Sequence, residues 1–271
     1  MTLDRKSFLY RFVHHPSGVV GILIILSAVL MAAVAGWIYP DGPWPIIGSP
    51  RLWPGADPAH PLGTDSLGRD LTAALLHGSR VSLAVGAAAA LVSIVIGTLF
   101  GGISGYYGGW IDDVLMRITD AMQTIPSFLA AIAIVGVVGA SLPTIIFAIA
   151  IVSWPMIARL VRAEFLRLRT YDFVQSCRII GMSDMRIIFA QILPNCLAPI
   201  IVASSVLVAT AIIVEASLSF LGLGDPNMMS WGTILGNGRA ALRSAWSHHR
   251  RARRSTRADC ARTESRWRRI E

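Results

Sequence analysis

Four stretches of this chain carry no charged residue at all: positions 16–40, 81–111, 121–158 and 187–214. A helix needs about 20 predominantly apolar residues to cross the hydrocarbon core of a bilayer. The third stretch is too long for one crossing and is divided by Gly139-Ala140-Ser141-Leu142-Pro143. Proline in a first helical turn gives up no intrahelical hydrogen bond, so Pro143 reads as the start of a new helix. The pattern predicts five spans near 18–38, 81–104, 115–138, 143–160 and 195–216. The expected fold is an all-α, polytopic membrane helical bundle. Its parts are an N-terminal segment 1–17, a membrane domain 18–246 and an atypical tail 247–271.

Composition agrees: 54% of residues are hydrophobic and 15% charged, the balance of a membrane protein. Arginine placement sets the orientation. Arg159, Arg162, Arg167, Arg169, Arg178 and Arg186 cluster between the fourth and fifth spans, so the 161–193 loop is expected in the cytoplasm. An even number of spans precedes it, which also puts the N-terminus, with Arg5, Lys6 and Arg11, in the cytoplasm. Segment 39–80 is then external, and its Asp41, Asp57, Asp65 and Asp70 outnumber Arg51, Arg69 and Arg80. A basic start followed by an apolar run and Ala33-Val34-Ala35 also fits a cleavable signal peptide. Continuation of the run to Ile38 favours a retained helix. Cys177, Cys196 and Cys260 fall in different regions and imply no disulfide or metal framework.

Several polar features interrupt the apolar pattern. Residues 171–194 read as two short amphipathic helices joined at Gly181, where a residue with a Cβ would resist a sharp reversal. Ile179, Ile180, Ile187, Ile188 and Phe189 supply apolar faces for a partner, or equally for the membrane lipid surface with the arginines near anionic headgroups. Pro194 is expected to restart helix as the chain re-enters the membrane. His60, Asp65, Ser66 and Asp70 resemble a hydrolytic or metal cluster only loosely. Their spacing fits no metal set, and Thr64, Asp65 and Ser66 fit helix N-caps better. Gly97, Gly101, Gly105 and Gly109 form a small-residue stripe suited to close helix packing, within the chain or between subunits. Asp113, Arg117 and Asp120 share one helix face and are expected to pair. Asp120, Gln123, Asn195 and Glu215 are candidates for lining a path or for structural pairing, Glu215 at an external end.

After Trp246 the character changes. Residues 247–271 hold nine arginines and carry six of the chain's eight net positive charges. The sequence pI near 10.2 therefore belongs to the tail and does not indicate nucleic-acid binding. Two readings compete: a basic disordered tail that binds lipid or a partner, or an out-of-frame translation of a GC-rich gene.

Residues 171–194 resemble the loop by which permease subunits of bacterial ABC importers dock on their ATPases. That family pattern is Glu-Ala-Ala, three residues, Gly and a later Leu-Pro. Gln175, Ser176, Cys177, Gly181, Leu193 and Pro194 stand in those slots, with the triplet drifted and the spacing kept. His60–Asp70, Gly78–Leu83, Gly105–Gly109 with Asp112, Met116, Arg117 and Asp120, and Glu215–Gly224 with Trp231-Gly232-Thr233 are similar to signatures of the dipeptide/oligopeptide (peptide/nickel-type) permeases, in the same order. The resemblance runs from about residue 10 to Trp246 and points to the second, C-type, permease of a pair. Relatives continue with a sixth span that residues 247–271 do not contain.

The resemblance implies an ATP-driven importer subunit for peptides or similar small solutes in a bacterial inner membrane. Implied partners are a second permease subunit, two cytoplasmic ATP-binding subunits and an external substrate-binding protein. No catalytic residue, cofactor or metal is expected, and nothing here resembles a Gly-rich phosphate loop with Lys-Ser/Thr, so ATP is expected to be bound by another subunit. The alternative is a truncated, non-transporting membrane fragment or regulator.

Overall fold

The computed structural model describes residues 16–239. The tail 247–271 and the basic residues before Pro16 lie outside them. Helix α1 (Pro16–Ile38) leads through a long loop to α2 (Leu71–Tyr107). Then come α3 (Gly109–Gln123), α4 (Ser127–Val138) and α5 (Leu142–Leu168). Short helices α6 (Asp172–Ile179) and α7 (Asp184–Ile187) precede a π-helical turn, Ile188–Ile192, and the long α8 (Leu193–Phe220). Residues 231–239 are again helical. Four helices are long and apolar enough to cross a membrane, and the bent α3–α4 pair makes a fifth if it counts as one span, among the described residues.

The lengths depart from expectation where local chemistry overrides hydropathy. Helix α2 starts ten residues before Val81 because Asp70 caps it, its carboxylate accepting the Thr72 amide at 2.6 Å. The third span is not straight: α3 and α4 meet at 79° across residues 124–126. Pro126 lacks an amide hydrogen and disfavours helical geometry at Ile125, which breaks the run. Pro194 takes a first-turn position in α8, as expected, though with no break before it. Helix continues from Asp184 to Phe220, and the π-turn absorbs the missing proline donor. Pro143 also sits in a first turn, behind Ser141, whose hydroxyl accepts the Thr144 amide.

Helices α2 and α5 form the central pair, with α8 packed against both. Small residues allow the contact: a Cβ on Gly97 would lie 2.7 Å from Ile157 Cβ, and one on Gly105 would lie 2.6 Å from Phe165 Cβ. The stripe is thus intramolecular, and Gly109, beyond the end of α2, faces open space. Ser93 adds a polar stitch, its hydroxyl donating to Ala150 O at 3.2 Å. One apolar core gathers Tyr106, Phe165, Val174, Ile187 and Ile192 at the loop end of the bundle. A second gathers Val85, Val135, Ile149 and Leu218 toward the other end. Helix α1 leaves most of its apolar side chains exposed and is tied to α2 by Arg80, which donates to Ala32 O and, at 3.1 Å, to Ala33 O.

Candidate functional site

The 171–194 segment is built on a defined helix ending. Asp172 in the first turn of α6 and Arg178 in its last both complement the helix dipole. Val174 is fully buried and Cys177 half-buried, which holds α6 against the core beneath it. Beyond Ile180 the chain turns through Gly181 at φ +79°. The Gly181 amide donates to Arg178 O and the Met182 amide to Cys177 O, both at 3.0 Å, forming a Schellman ending. Space around Gly181 is open, so the requirement is one of backbone conformation. Gln175 is exposed and its Nε2 donates to Arg169 O at 3.1 Å, while Ser176 is exposed without a close role. Leu193 is half-buried and Pro194 exposed. The outcome is an apolar tip: Ile179 is 86% exposed, Ile180 75% and Met185 61%.

The other sequence candidates scatter. Asp120 is exposed and accepts from Arg159 Nη2 at 2.6 Å, in place of the expected Arg117. Gln123 ends α3 in the open, and Asn195 is exposed, donating to Gln191 O at 2.6 Å. Glu215 is buried and accepts from Ser82 at 3.1 Å and Ser219 at 2.7 Å. With Asp225 it lines a small cavity of about 10 Å³, room for one water at most. Sequence reasoning missed the bidentate pair of Arg162 with Asp112 (2.5 and 2.6 Å), which binds α5 to α3. No spacing rule within one helix reveals a pair fifty residues apart.

In the 39–70 loop the polar residues shape the chain. His60 Nδ1 contacts Asp70 Oδ2 at 3.2 Å, Asp65 Oδ1 accepts the Leu67 and Arg69 amides, and Thr64 donates to Ser49 O at 2.5 Å. Burial, then the Asp70 carboxylate, raise the Tyr39 hydroxyl above its ordinary pKa. His60, Thr64, Asp65 and Asp70 are thus occupied as caps, turns or loop ties, and the helix cap is Asp70, not Thr64, Asp65 or Ser66.

Residues 93–237 match the family model described as binding-protein-dependent transport system inner membrane component. The chain belongs to this permease family. Residues 5–49 match the N-terminal TM domain of oligopeptide transport permease C, which marks the permease as C-type. It is 39% identical over 238 residues to the glutathione transport system permease protein GsiD of Pectobacterium atrosepticum, covering 88% of this chain and 79% of the relative. Identity is 43% over 228 residues with the dipeptide transport system permease protein DppC of Alkalihalophilus pseudofirmus (84% and 75% covered). It is 37% over 247 residues with the di/tripeptide transport system permease protein DppC of Pseudomonas aeruginosa (89% and 82%). The permease is a multi-pass protein of the bacterial plasma membrane and a subunit of an ABC importer.

Proposed function

We propose that this subunit imports peptides or chemically similar small solutes, forming half of the path with a second permease subunit. The importer carries two cytoplasmic ATP-binding subunits, to which this subunit couples through residues 171–193, and an external binding protein delivers the solute. The observation that carries the reading is the bare apolar tip of Ile179, Ile180 and Met185 on a helix ending fixed by Gly181. Apolar side chains in an Arg-rich cytoplasmic loop gain most by burial against a protein partner. The permease relatives support this reading over a non-transporting regulator. Asp120, Gln123 and Asn195 remain candidates for the path because they are exposed in the single subunit, whereas the burial of Glu215 supports a structural part.

Gly181→Val tests the docking. A β-branched residue resists φ +79°, at a cost of about 1–2 kcal/mol or more. The variant is expected to insert normally and to lose ATP hydrolysis stimulated by the binding protein. Gly181→Asn tolerates this conformation and is expected to keep it. Unchanged stimulation in the valine variant would refute the assignment.

A further inference from the structure

Helix α2 has 37 residues. At 1.5 Å per residue it is about 55 Å long, against a hydrocarbon core of about 30 Å. It is therefore about 25 Å longer than the core is thick, and both its ends are bonded to segments far away in sequence. At the loop end the Tyr106 hydroxyl donates to Asp184 Oδ1 at 2.5 Å. The Arg178 guanidinium lies 5.2 Å from the centre of the Tyr106 ring. The ring itself is buried in the same apolar cluster as Val174 and Ile187. One side chain of α2 thus touches both arms of the loop, α6 through Arg178 and α7 through Asp184. At the opposite end Trp231 Nε1 donates to Leu75 O, and the Trp231 amide donates to Ser82 Oγ, each at 3.2 Å. Ser82 in turn donates to the buried Glu215 of α8.

We propose that Tyr106 is the positioning residue through which α2 transmits the state of the 171–193 loop to the Trp231 segment at the other end of the bundle. The proposal rests on the docking reading. A continuous helix packed backbone to backbone on α5 resists bending, so a displacement at Tyr106 reappears near Leu75 and Ser82. Arg169 donates to the Gly105 and Tyr106 carbonyls at 3.2 Å and secures the last turn of α2 to α5. Those bonds stay within the bundle. The Tyr106–Asp184 bond and the Arg178 contact alone among these join α2 to the part of the loop that an ATPase would move.

The test uses the assembled importer, both permeases with both ATPases, in lipid nanodiscs. Cys177, Cys196 and Cys260 are replaced by alanine, and Asn227→Cys, exposed just before Trp231, is labelled with an impermeant maleimide. The labelling rate is measured with and without a non-hydrolysable ATP analogue. In the parent the rate is expected to change on nucleotide binding. Tyr106→Phe, which keeps the ring and removes the hydroxyl, is expected to shrink that change about fivefold while the ATPases still co-purify. Asp184→Ala is expected to do the same, the double variant no more than either single one, and Asp184→Asn, which keeps an acceptor, much less. If Tyr106→Phe yields no complex, Asp184→Ala at its exposed position decides the matter. A full nucleotide response in Tyr106→Phe or Asp184→Ala would overturn the proposal, as would a parent that holds its ATPases without any response at position 227. A parent that fails to hold ATPases would overturn the docking reading and the proposal with it.

Discussion

Replacing Gly101 by alanine adds a single carbon at the closest approach of α2 to α5. That carbon would overlap the Ala158 carbonyl oxygen and lie 3.0 Å from both Ala158 C and Arg162 N. All three atoms belong to helix backbone, so no side-chain rotation relieves the contact and the helices must separate. Separation loosens the neighbouring contacts of Gly97 with Ile157 and Gly105 with Phe165. In a bilayer such packing is itself a main source of helix association, because lipid tails are as apolar as the side chains. Overpacking of this kind costs about 1–3 kcal/mol, and backbone atoms put it at or above the upper end. Better helix propensity returns up to about 1 kcal/mol, leaving a net loss of about 2 kcal/mol. At about 2–4 °C per kcal/mol for a chain of this size, Tm is expected to fall by about 4–8 °C. Reaction of buried Cys196 with a thiol-activated dye during heating reports the transition in detergent, with Cys177 and Cys260 replaced. Gly136→Ala, with nothing within 4 Å of the new carbon, is the control and is expected to melt at or above the parent. Equal melting of the Gly101 and Gly136 variants would refute the packing argument.

Glu215→Ala leaves the Ser82 and Ser219 hydroxyls buried without their acceptor and is expected to cost about 2 kcal/mol, whereas Glu215→Gln keeps an acceptor oxygen and costs less. Parent-like melting of the alanine variant would show that the network contributes nothing. For topology, Asp57→Cys in a chain lacking native cysteines is expected to react with an impermeant thiol reagent in intact cells. Native Cys177, as sole cysteine, is expected to react only after permeabilisation, and the reverse pattern would invert the orientation argued from the arginines.

The long apolar runs were readable because the bilayer forces any crossing segment to satisfy its backbone internally, so each run had to become helix. Where helices end was less readable. Asp70 and Pro126 decided the start of α2 and the bend between α3 and α4, and a hydropathy run registers neither. Small residues at 97, 101 and 105 announced a close contact without naming α5 as the other side. Charges were hardest. Local spacing pointed Asp120 to Arg117, yet Arg159 from α5 reaches it instead, and Glu215 finds Ser82 across 133 positions. Such pairings depend on how helices are placed beside one another. The turn at Gly181 was legible because a Schellman ending is written in consecutive residues.

The most direct test of the account is cross-linking at the loop tip. Ile179→Cys, in a permease otherwise free of cysteine and co-expressed with its importer's partner subunits, is treated in membranes with a short bismaleimide after a cysteine scan of the ATPase surface. The account predicts a covalent adduct between this subunit and an ATPase, and none from Ile24→Cys on the exposed face of α1. An intact complex that gives no adduct at position 179 would contradict docking through this loop.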